Sequence, residues 1–238
     1  MKRRNKSLKT PEFLHGARLG MPIALGYIPV AFSFGMLAVK GGMPIWASII
    51  ISMTNLTSAG QFAGMNLILA GAGLTEIGIT TFVINLRYML MSLALSQKIE
   101  KLPLVKRMLV SAGITDEIYT VASTMPNKVS ASFMAGLIII PYIGWTLGTV
   151  LGALTNNILP PSVVSAMGIT LYAMFIAIFI PAAKHNKGIL AVLIFAIAVS
   201  CIFYYGIKAI SSGWATIITA IAASAFGAVF FPKKEDTL

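Results

Sequence analysis

The chain has 238 residues, of which 57% are apolar and only 11% are charged, and its mean hydropathy is +0.86. Soluble domains carry about 25% charged residues, so this composition excludes an ordinary water-soluble globule. The net charge of +11 is not gathered on a water-facing domain, which argues against nucleic-acid binding. The single cysteine, Cys201, excludes an internal disulfide and a cysteine metal site.

Stretches without Asp, Glu, Lys or Arg predict the membrane spans, because about 20 apolar helical residues cross about 30 Å of hydrocarbon. The predicted spans are 19–39, 77–97 (interrupted only by Arg87), 129–155, 158–183, 188–207 and 209–232. Backbone groups in lipid must pair within their own segment, which requires helices. We therefore predict an all-α fold, a polytopic helical bundle integral to the membrane, with one transport domain (19–232) between a basic N-terminus (1–18) and a short C-terminus (233–238).

The first span contains Gly26-Tyr27-Ile28-Pro29. Proline removes a helix donor and clashes with the preceding turn, which leaves carbonyl groups free. We predict a broken helix here, because interrupted helices offer backbone groups to substrate in many secondary transporters. The alternative is an ordinary proline kink between packed helices.

The next uncharged stretch, 41–75, has 35 residues. As one helix it would be about 52 Å long, too long for one straight span and too short for two spans with a turn. Its middle is polar and contains Ser58-Ala59-Gly60-Gln61. We predict two half-helices that re-enter the membrane, the second offering its N-terminal N–H groups to a carboxylate. The alternative is one long tilted helix.

The basic residues support this topology, since Lys and Arg favour the cytoplasmic side. If 41–75 returns to the side from which it enters, 15 cationic residues lie inside and only Lys40 and Lys208 lie outside. If it crosses, with 129–183 crossing twice, seven lie inside and ten outside. We therefore predict a cytoplasmic loop at 98–128 and two cytoplasmic termini, with the basic residues close to anionic lipid headgroups.

Arg87 is the eleventh of the 21 residues between Glu76 and Lys98, which places it at the bilayer centre. A central arginine costs about 2.5–3.5 kcal/mol on insertion scales, so it is expected to face a cavity, an anion or the protein interior. It either binds a substrate carboxylate or forms a structural ion pair with Asp116 or Glu117. Asn85 lies roughly 200° around the same helix, so the backbone breaks near these residues or they serve different neighbours.

Thr115-Asp116-Glu117 lies in an otherwise basic segment. Thr115 is a suitable N-cap, with two acids in the first turn of a short helix. Alternatively, one of the acids carries a coupling proton or pairs with Arg87. No arrangement of catalytic side chains with credible spacing is present in the sequence, so we predict neither an enzyme nor a metal or other cofactor.

Four motifs together resemble the AzlC family, the large subunit of bacterial two-component branched-chain amino acid exporters. They are Gly20-Met21-Pro22-Ile23-Ala24-Leu25-Gly26-Tyr27-Ile28-Pro29, Ser58-Ala59-Gly60-Gln61-Phe62, Asn85-Leu86-Arg87-Tyr88 and Thr115-Asp116-Glu117. The resemblance covers most of residues 13–125 and continues more diffusely to the C-terminus. One departure is Tyr88, where the family often has histidine.

The resemblance implies export of branched-chain or other hydrophobic L-amino acids across the bacterial cytoplasmic membrane. It also implies energy from the proton gradient and a small AzlD-like membrane partner. The candidate substrate-binding residues are Gly26, Tyr27, Pro29, Ser58, Ala59, Gly60, Gln61, Asn85 and Arg87. Asp116 and Glu117 are the candidates for proton coupling. The alternative function is a membrane scaffold or accessory subunit that does not itself transport.

Overall fold

The computed structural model describes residues 11–155, 169–207 and 210–232, together with 160, 162 and 166. Its helices are α1 (Glu12–Lys40), α2 (Ile45–Thr54), α3 (Ser58–Leu69), α4 (Leu74–Ser96), α5 (Leu104–Ala112), α6 (Asp116–Thr124), α7 (Ala131–Leu154), α8 (Thr170–His185), α9 (Lys187–Cys201) and α10 (Ser212–Phe230). A π-helical turn, Ile202–Gly206, continues α9. The junction between the predicted spans 129–155 and 158–183, at Asn156 and Asn157, and the outer parts of both termini, 1–10 and 233–238, lie outside the described residues.

Helices dominate the fold, and the described ranges contain no strand beyond an isolated bridge between Ile99 and Val129. Within these ranges, five helices are long and apolar enough to cross a membrane: α1, α4, α7, α9 with its π-helical turn, and α10. The predicted all-α, multi-pass membrane fold is therefore confirmed. The segment predicted as a loop, 98–128, itself contains the two short helices α5 and α6.

The chain forms two compact units. The first contains residues 1–58 and 86–168, and the second contains 59–85 and 169–238. The boundary falls inside α4, so the helix contributes its first half to the second unit and its second half to the first.

The first unit is built on close parallel packing of α1 against α7. Residue numbers in the two helices rise together along the contact, from Gly16 beside Phe133 to Gly35 beside Thr149. A Cβ atom added to either glycine would collide with backbone atoms of the opposite helix. Gly144, Gly148 and Gly152 face α1 in the same way, as their spacing of four residues predicts for close helix packing.

The predicted break in the first span is wrong, because α1 is one continuous helix with Pro22 and Pro29 inside it. Pro29 removes a single intrahelical donor, and α7 supports the helix along most of its length on the opposite side. Gly26 and Pro29 lie on the exposed side of α1, whereas Tyr27 is buried. The helix is therefore continuous through Pro29, and a kink at this proline stays a prediction.

The interruption predicted in 41–75 is present. Helix α2 ends at Thr54 and α3 begins at Ser58. The Met53 carbonyl at the end of α2 accepts a hydrogen bond of 3.0 Å from the Tyr142 hydroxyl of α7. The Ser52 and Thr149 hydroxyls, also from α2 and α7, lie 2.6 Å apart in the buried core. These two contacts fix the end of α2 on α7.

The second unit contains the most outward-facing helix. No residue of α9 is buried, and a helix that is apolar all round is typical of a membrane span. Its Phe195 ring stacks on Phe226 of α10, with the ring centroids 4.4 Å apart. At the start of α10, the Ser211 hydroxyl donates to the Glu76 carboxylate of α4. The ring stack thus joins α9 to α10, and the polar contact joins the start of α10 to α4.

Candidate functional site

A small polar cavity lies inside the first unit where five segments meet. It is about 10 Å³ in volume, roughly the room for one water molecule. Its lining residues are Tyr27, Leu56, Ser58, Tyr88, Thr115, Asp116, Glu117 and Trp145. The residues come from α1, the interruption before α3, α4, the start of α6, and α7. The space is too small for a solute larger than water, and we call it the closed cavity.

An ion pair stands beside the cavity. The Arg87 guanidinium lies 3.0 Å from an Asp116 carboxylate oxygen, and both side chains are about one-third exposed, at 34% and 35%. Arg87 is the fourteenth of the 23 residues of α4, close to the middle of the helix. The structural ion pair proposed from the sequence is therefore present, with Asp116 as the partner.

Arg87 also contacts its neighbour Tyr88. It donates a hydrogen bond of 3.1 Å to the Tyr88 hydroxyl, and its guanidinium carbon lies 4.9 Å from the ring centroid. The Arg87 Nε atom is buried and has no hydrogen-bond partner among the described residues. A buried, unpaired donor on a cation is costly, so the guanidinium retains capacity to bind an anionic group.

The surroundings of Asp116 raise its pKa. Burial raises the pKa of this carboxyl above its usual value of 3.8, and the negative charge of Glu117 adds to the increase, while the Arg87 guanidinium opposes it. The net effect is a raised pKa. Asp116 therefore takes up a proton at a higher pH than an ordinary surface aspartate.

A hydroxyl network joins α1 to the start of α6. The Tyr27 hydroxyl lies 2.5 Å from a Glu117 carboxylate oxygen and 2.7 Å from the Thr115 hydroxyl. The phenol has one proton, and the Glu117 carboxylate and the Thr115 hydroxyl both lie where they can accept it. The Tyr27 ring also packs edge-on against Trp145, with the ring centroids 5.3 Å apart. These contacts hold both acids of α6 beside the cavity.

Both interpretations of Thr115-Asp116-Glu117 are correct in part. Thr115 is the N-cap of α6 and accepts a hydrogen bond from the Ile118 N–H. At the same time, Asp116 pairs with Arg87. The capping geometry explains the placement of the acids, since a first-turn residue of α6 is the one that projects towards α4.

The structure brings only part of the predicted set together. Tyr27, Ser58, Asp116 and Glu117 line the cavity, and Arg87 is bound to one of them. Gly26 and Pro29 face outward on α1. The remaining predicted residues, Ala59, Gly60, Gln61 and Asn85, belong to the second unit. Since α4 is continuous through Asn85 and Arg87, the predicted alternative of a backbone break between these residues is wrong.

Sequence reasoning missed Leu56 and Trp145 as lining residues. Leu56 is an ordinary aliphatic residue within an apolar stretch, so nothing local distinguishes it. Trp145 did leave a signal in the sequence, because it lies in the middle of an apolar stretch that forms α7. In the structure its side chain is 1% exposed. Tryptophan in membrane spans is enriched at the two water interfaces instead, so a central one indicates a buried neighbour.

Comparisons with known proteins agree on one family. The family model described as AzlC protein matches residues 22–159. "Inner membrane protein YgaZ" of Escherichia coli is 29% identical over 185 residues, which cover 74% of this chain and 76% of that protein. An "Uncharacterized membrane protein" of Archaeoglobus fulgidus is 32% identical over 179 residues, which cover 74% and 78% of the two chains. No solved structure matches the chain.

Proposed function

The chain belongs to the AzlC family, and we propose that it is a secondary transporter that exports branched-chain or other hydrophobic L-amino acids. Family membership and the membrane-protein relatives support a role in membrane transport. The observation that carries the proposal is the Arg87–Asp116 ion pair, set beside a closed cavity near the middle of a membrane-spanning helix.

The ion pair is complementary to a zwitterion. An amino acid carries one carboxylate and one ammonium group, which match the Arg87 guanidinium and the Asp116 carboxylate respectively. Removing one partner of this partly buried pair is costly because the other charge is left alone. A zwitterion that inserts between the two side chains replaces both partners at once, so neither charge is left uncompensated. The cavity-lining residues Leu56 and Trp145 supply apolar surface for an aliphatic side chain.

Asp116 makes this exchange sensitive to protons. A protonated Asp116 no longer attracts the substrate ammonium group, so a proton and the amino acid compete for the same carboxylate. Such competition exchanges one for the other, and an inward proton gradient then drives the amino acid outward. Glu117, hydrogen-bonded to Tyr27 beside the cavity, is the second candidate carrier of the proton.

The closed cavity fits one state of an alternating-access cycle. With room for about one water molecule, it must widen before an amino acid enters. Such a cycle also explains why Arg87 is paired with Asp116 here, since the pair holds the site together while no substrate is bound.

The packing of α1 and α7 supports the proposed topology. The Ser130 hydroxyl donates to the Glu12 carboxylate, and the His15 and Phe133 rings lie 5.5 Å apart. The starts of the two parallel helices therefore lie on the same face, which the basic residues assign to the cytoplasm. If α4 crosses once, the segment between α1 and α4 begins and ends on the opposite face, as a re-entrant pair requires. Both termini of the chain are proposed to be cytoplasmic in a bacterial inner membrane.

A small AzlD-like membrane subunit is the proposed partner. The alternative function, an accessory subunit without transport activity, predicts that the purified chain leaves amino acid flux unchanged unless the active partner is added. Reconstitution of the chain alone, and then with the small subunit, separates the two functions.

The proposal is tested by counterflow of labelled leucine in proteoliposomes, comparing Arg87→Gln with Arg18→Gln. Arg18 is an exposed arginine near the start of α1 and serves as the matched control. Arg87→Gln should lower the flux by about 10- to 100-fold, as expected for a lost charged hydrogen bond of about 1.5–3 kcal/mol. The flux of Arg87→Lys should lie between that of Arg87→Gln and that of Arg18→Gln, because lysine retains the charge without the forked geometry of arginine. Equal flux in Arg87→Gln and wild type would remove this site from the mechanism.

A further inference from the structure

A second and much larger cavity opens in the first unit, between α5 and the end of α4. Its volume is about 360 Å³, against about 10 Å³ for the closed cavity. Its lining is unusually polar for a membrane protein and includes Ser92, Ser96, Glu100, Lys101, Arg107 and Ser111. Water or a polar solute, and not a lipid tail, is the occupant that such a lining favours.

The two cavities lie in series along α4. Tyr88 lines the closed cavity, whereas Ser92 and Ser96 line the larger one. These residues are spaced by four positions and therefore share one face of the helix. The residues between α5 and α6 show the same order, since Ile114 lines the larger cavity and the next residue, Thr115, lines the closed one.

The segment that separates the cavities enters and returns on one face. At its base, the Glu100 N–H donates to the Val129 carbonyl and the Val129 N–H donates to the Lys98 carbonyl, both at 3.1 Å. The two ends of the segment therefore lie together. Asp116, in the middle of the segment, pairs with Arg87. Arg87 is nine residues before the end of α4, so the segment extends about 14 Å along the helix from that end. That distance is about half the thickness of the hydrocarbon layer.

One wall of the larger cavity is apolar. Val110 and Ile114 line it, and both are buried, with Leu95, in one hydrophobic cluster of the first unit. The opposite side of α5 is exposed at Leu104 and Met108. Among the described residues, no side-chain hydrogen bond or ion pair joins α5 to another helix. Helix α5 can therefore shift relative to α4 at the cost of apolar contacts alone.

We propose that the larger cavity is the vestibule through which the amino acid enters from the face on which α4 ends, and that a shift of α5 connects it to the Arg87 site. This inference rests on the proposed transport function and adds its entry path. Arg107 and Lys101 attract the substrate carboxylate at the mouth, and the serine hydroxyls replace its lost water. Val110 and Ile114 accept an aliphatic side chain.

The test uses single cysteines in the otherwise cysteine-free variant Cys201→Ala. Ser92→Cys and Ser111→Cys are the vestibule variants, Lys128→Cys marks the same face, and Lys40→Cys marks the opposite face. Each variant is reconstituted in vesicles and exposed on one side to a membrane-impermeant maleimide. We expect both vestibule cysteines to react only from the face at which Lys128→Cys reacts.

Protection by leucine tests whether an amino acid occupies the vestibule. At a leucine concentration about ten times its Kd, occupancy should slow labelling of Ser92→Cys by about tenfold. Lys128→Cys should be unaffected, and Arg107→Gln should weaken the protection without preventing labelling, because Arg107 lines the same cavity as Ser92. Reaction from the Lys40 face, or equal labelling with and without leucine, would overturn the vestibule. Protection by anionic lipid instead of leucine would also overturn it, as a headgroup site.

The two proposals fail in different ways. If leucine has no effect on labelling while leucine flux still depends on Arg87, the vestibule is wrong and the transport function stands. If flux is absent with and without the small subunit, the transport function fails, and the vestibule fails with it.

Discussion

Two interruptions in the chain have the same construction but different chemistry. The first lies between α2 and α3 and the second between α5 and α6, and each has three non-helical residues. The short helix before each follows a proline, Pro44 or Pro103, as its N-cap. A buried aliphatic residue and a threonine occupy equivalent positions, with Leu56-Thr57 in the first and Ile114-Thr115 in the second.

The difference begins at the residue after the threonine. The first interruption continues with Ser58, which is neutral, and the second continues with Asp116 and Glu117, which are acidic. Both contribute to the closed cavity, but only the second supplies a partner for Arg87. In the proposed mechanism, proton chemistry therefore belongs to the second interruption, and the first contributes a hydroxyl and the shape of the wall.

The largest effect is expected for Asp116→Asn, which removes the charge that distinguishes the second interruption. Asparagine cannot exchange a proton for the substrate ammonium group, and it leaves Arg87 without its charged partner. Leucine efflux driven by an inward proton gradient should therefore fall by about 100-fold. Efflux of labelled leucine from vesicles with an imposed pH gradient measures this. Efflux at the wild-type rate would show that Asp116 does not couple the proton.

The same variant has a characteristic pH profile. Because the pKa of Asp116 is raised, the wild-type carboxyl takes up protons as the pH falls through that value, and its attraction for the substrate ammonium declines. Leucine affinity should therefore decrease as the pH is lowered. In Asp116→Asn the leucine affinity should not change as the pH passes through the pKa of the wild-type Asp116 carboxyl. A profile that is equally steep in both proteins would assign the titration to another group.

A smaller effect is expected for Tyr27→Phe, with Tyr142→Phe as its matched control. Tyr27 fixes the second interruption through Thr115 and Glu117, whereas Tyr142 fixes the end of α2 through the Met53 carbonyl. Leaving the Glu117 carboxylate without its buried donor should lower flux by about tenfold. The hydrogen bond of Tyr142 is exposed and replaceable by water, so its loss should change flux by less than about threefold. Equal losses would mean that both tyrosines serve only as structural contacts.

The smallest effect is expected for Ser58→Ala. A neutral hydroxyl at the cavity wall contributes about 0.5–1.5 kcal/mol, so the KM for leucine should rise by about threefold with little change in maximal flux. Transport kinetics at several leucine concentrations separate the two parameters. A loss as large as that of Asp116→Asn would mean that the two interruptions contribute equally to catalysis of transport.

The sequence predicts the features that depend on local chemistry. Uncharged stretches locate the long helices, the position of Arg87 within its stretch places it near the middle of α4, and the capping pattern at Thr115 places the acids at the start of α6. Long-range contacts are not encoded in this way. Tyr27 meets Glu117 across 90 positions of sequence, and Trp145 meets Tyr27 from a different helix.

The incorrect break at Gly26–Pro29 has a physical cause of the same kind. Proline and glycine weaken a helix locally, but the continuous contact of α7 along the other side of α1 compensates for that weakness. The contact depends on glycines that lie far from Pro29 in the sequence, including Gly148 and Gly152. A local pattern therefore overestimates the effect of a proline where a second helix supports the first.

Glycine contacts between α1 and α7 also restrict which parts of the protein can change position during a cycle. Where backbone touches backbone, sliding or rotation of one helix on the other produces collisions almost immediately. In the proposed transport cycle we therefore expect this pair to be a stationary frame, and the elements attached to it through side chains alone to be the moving parts.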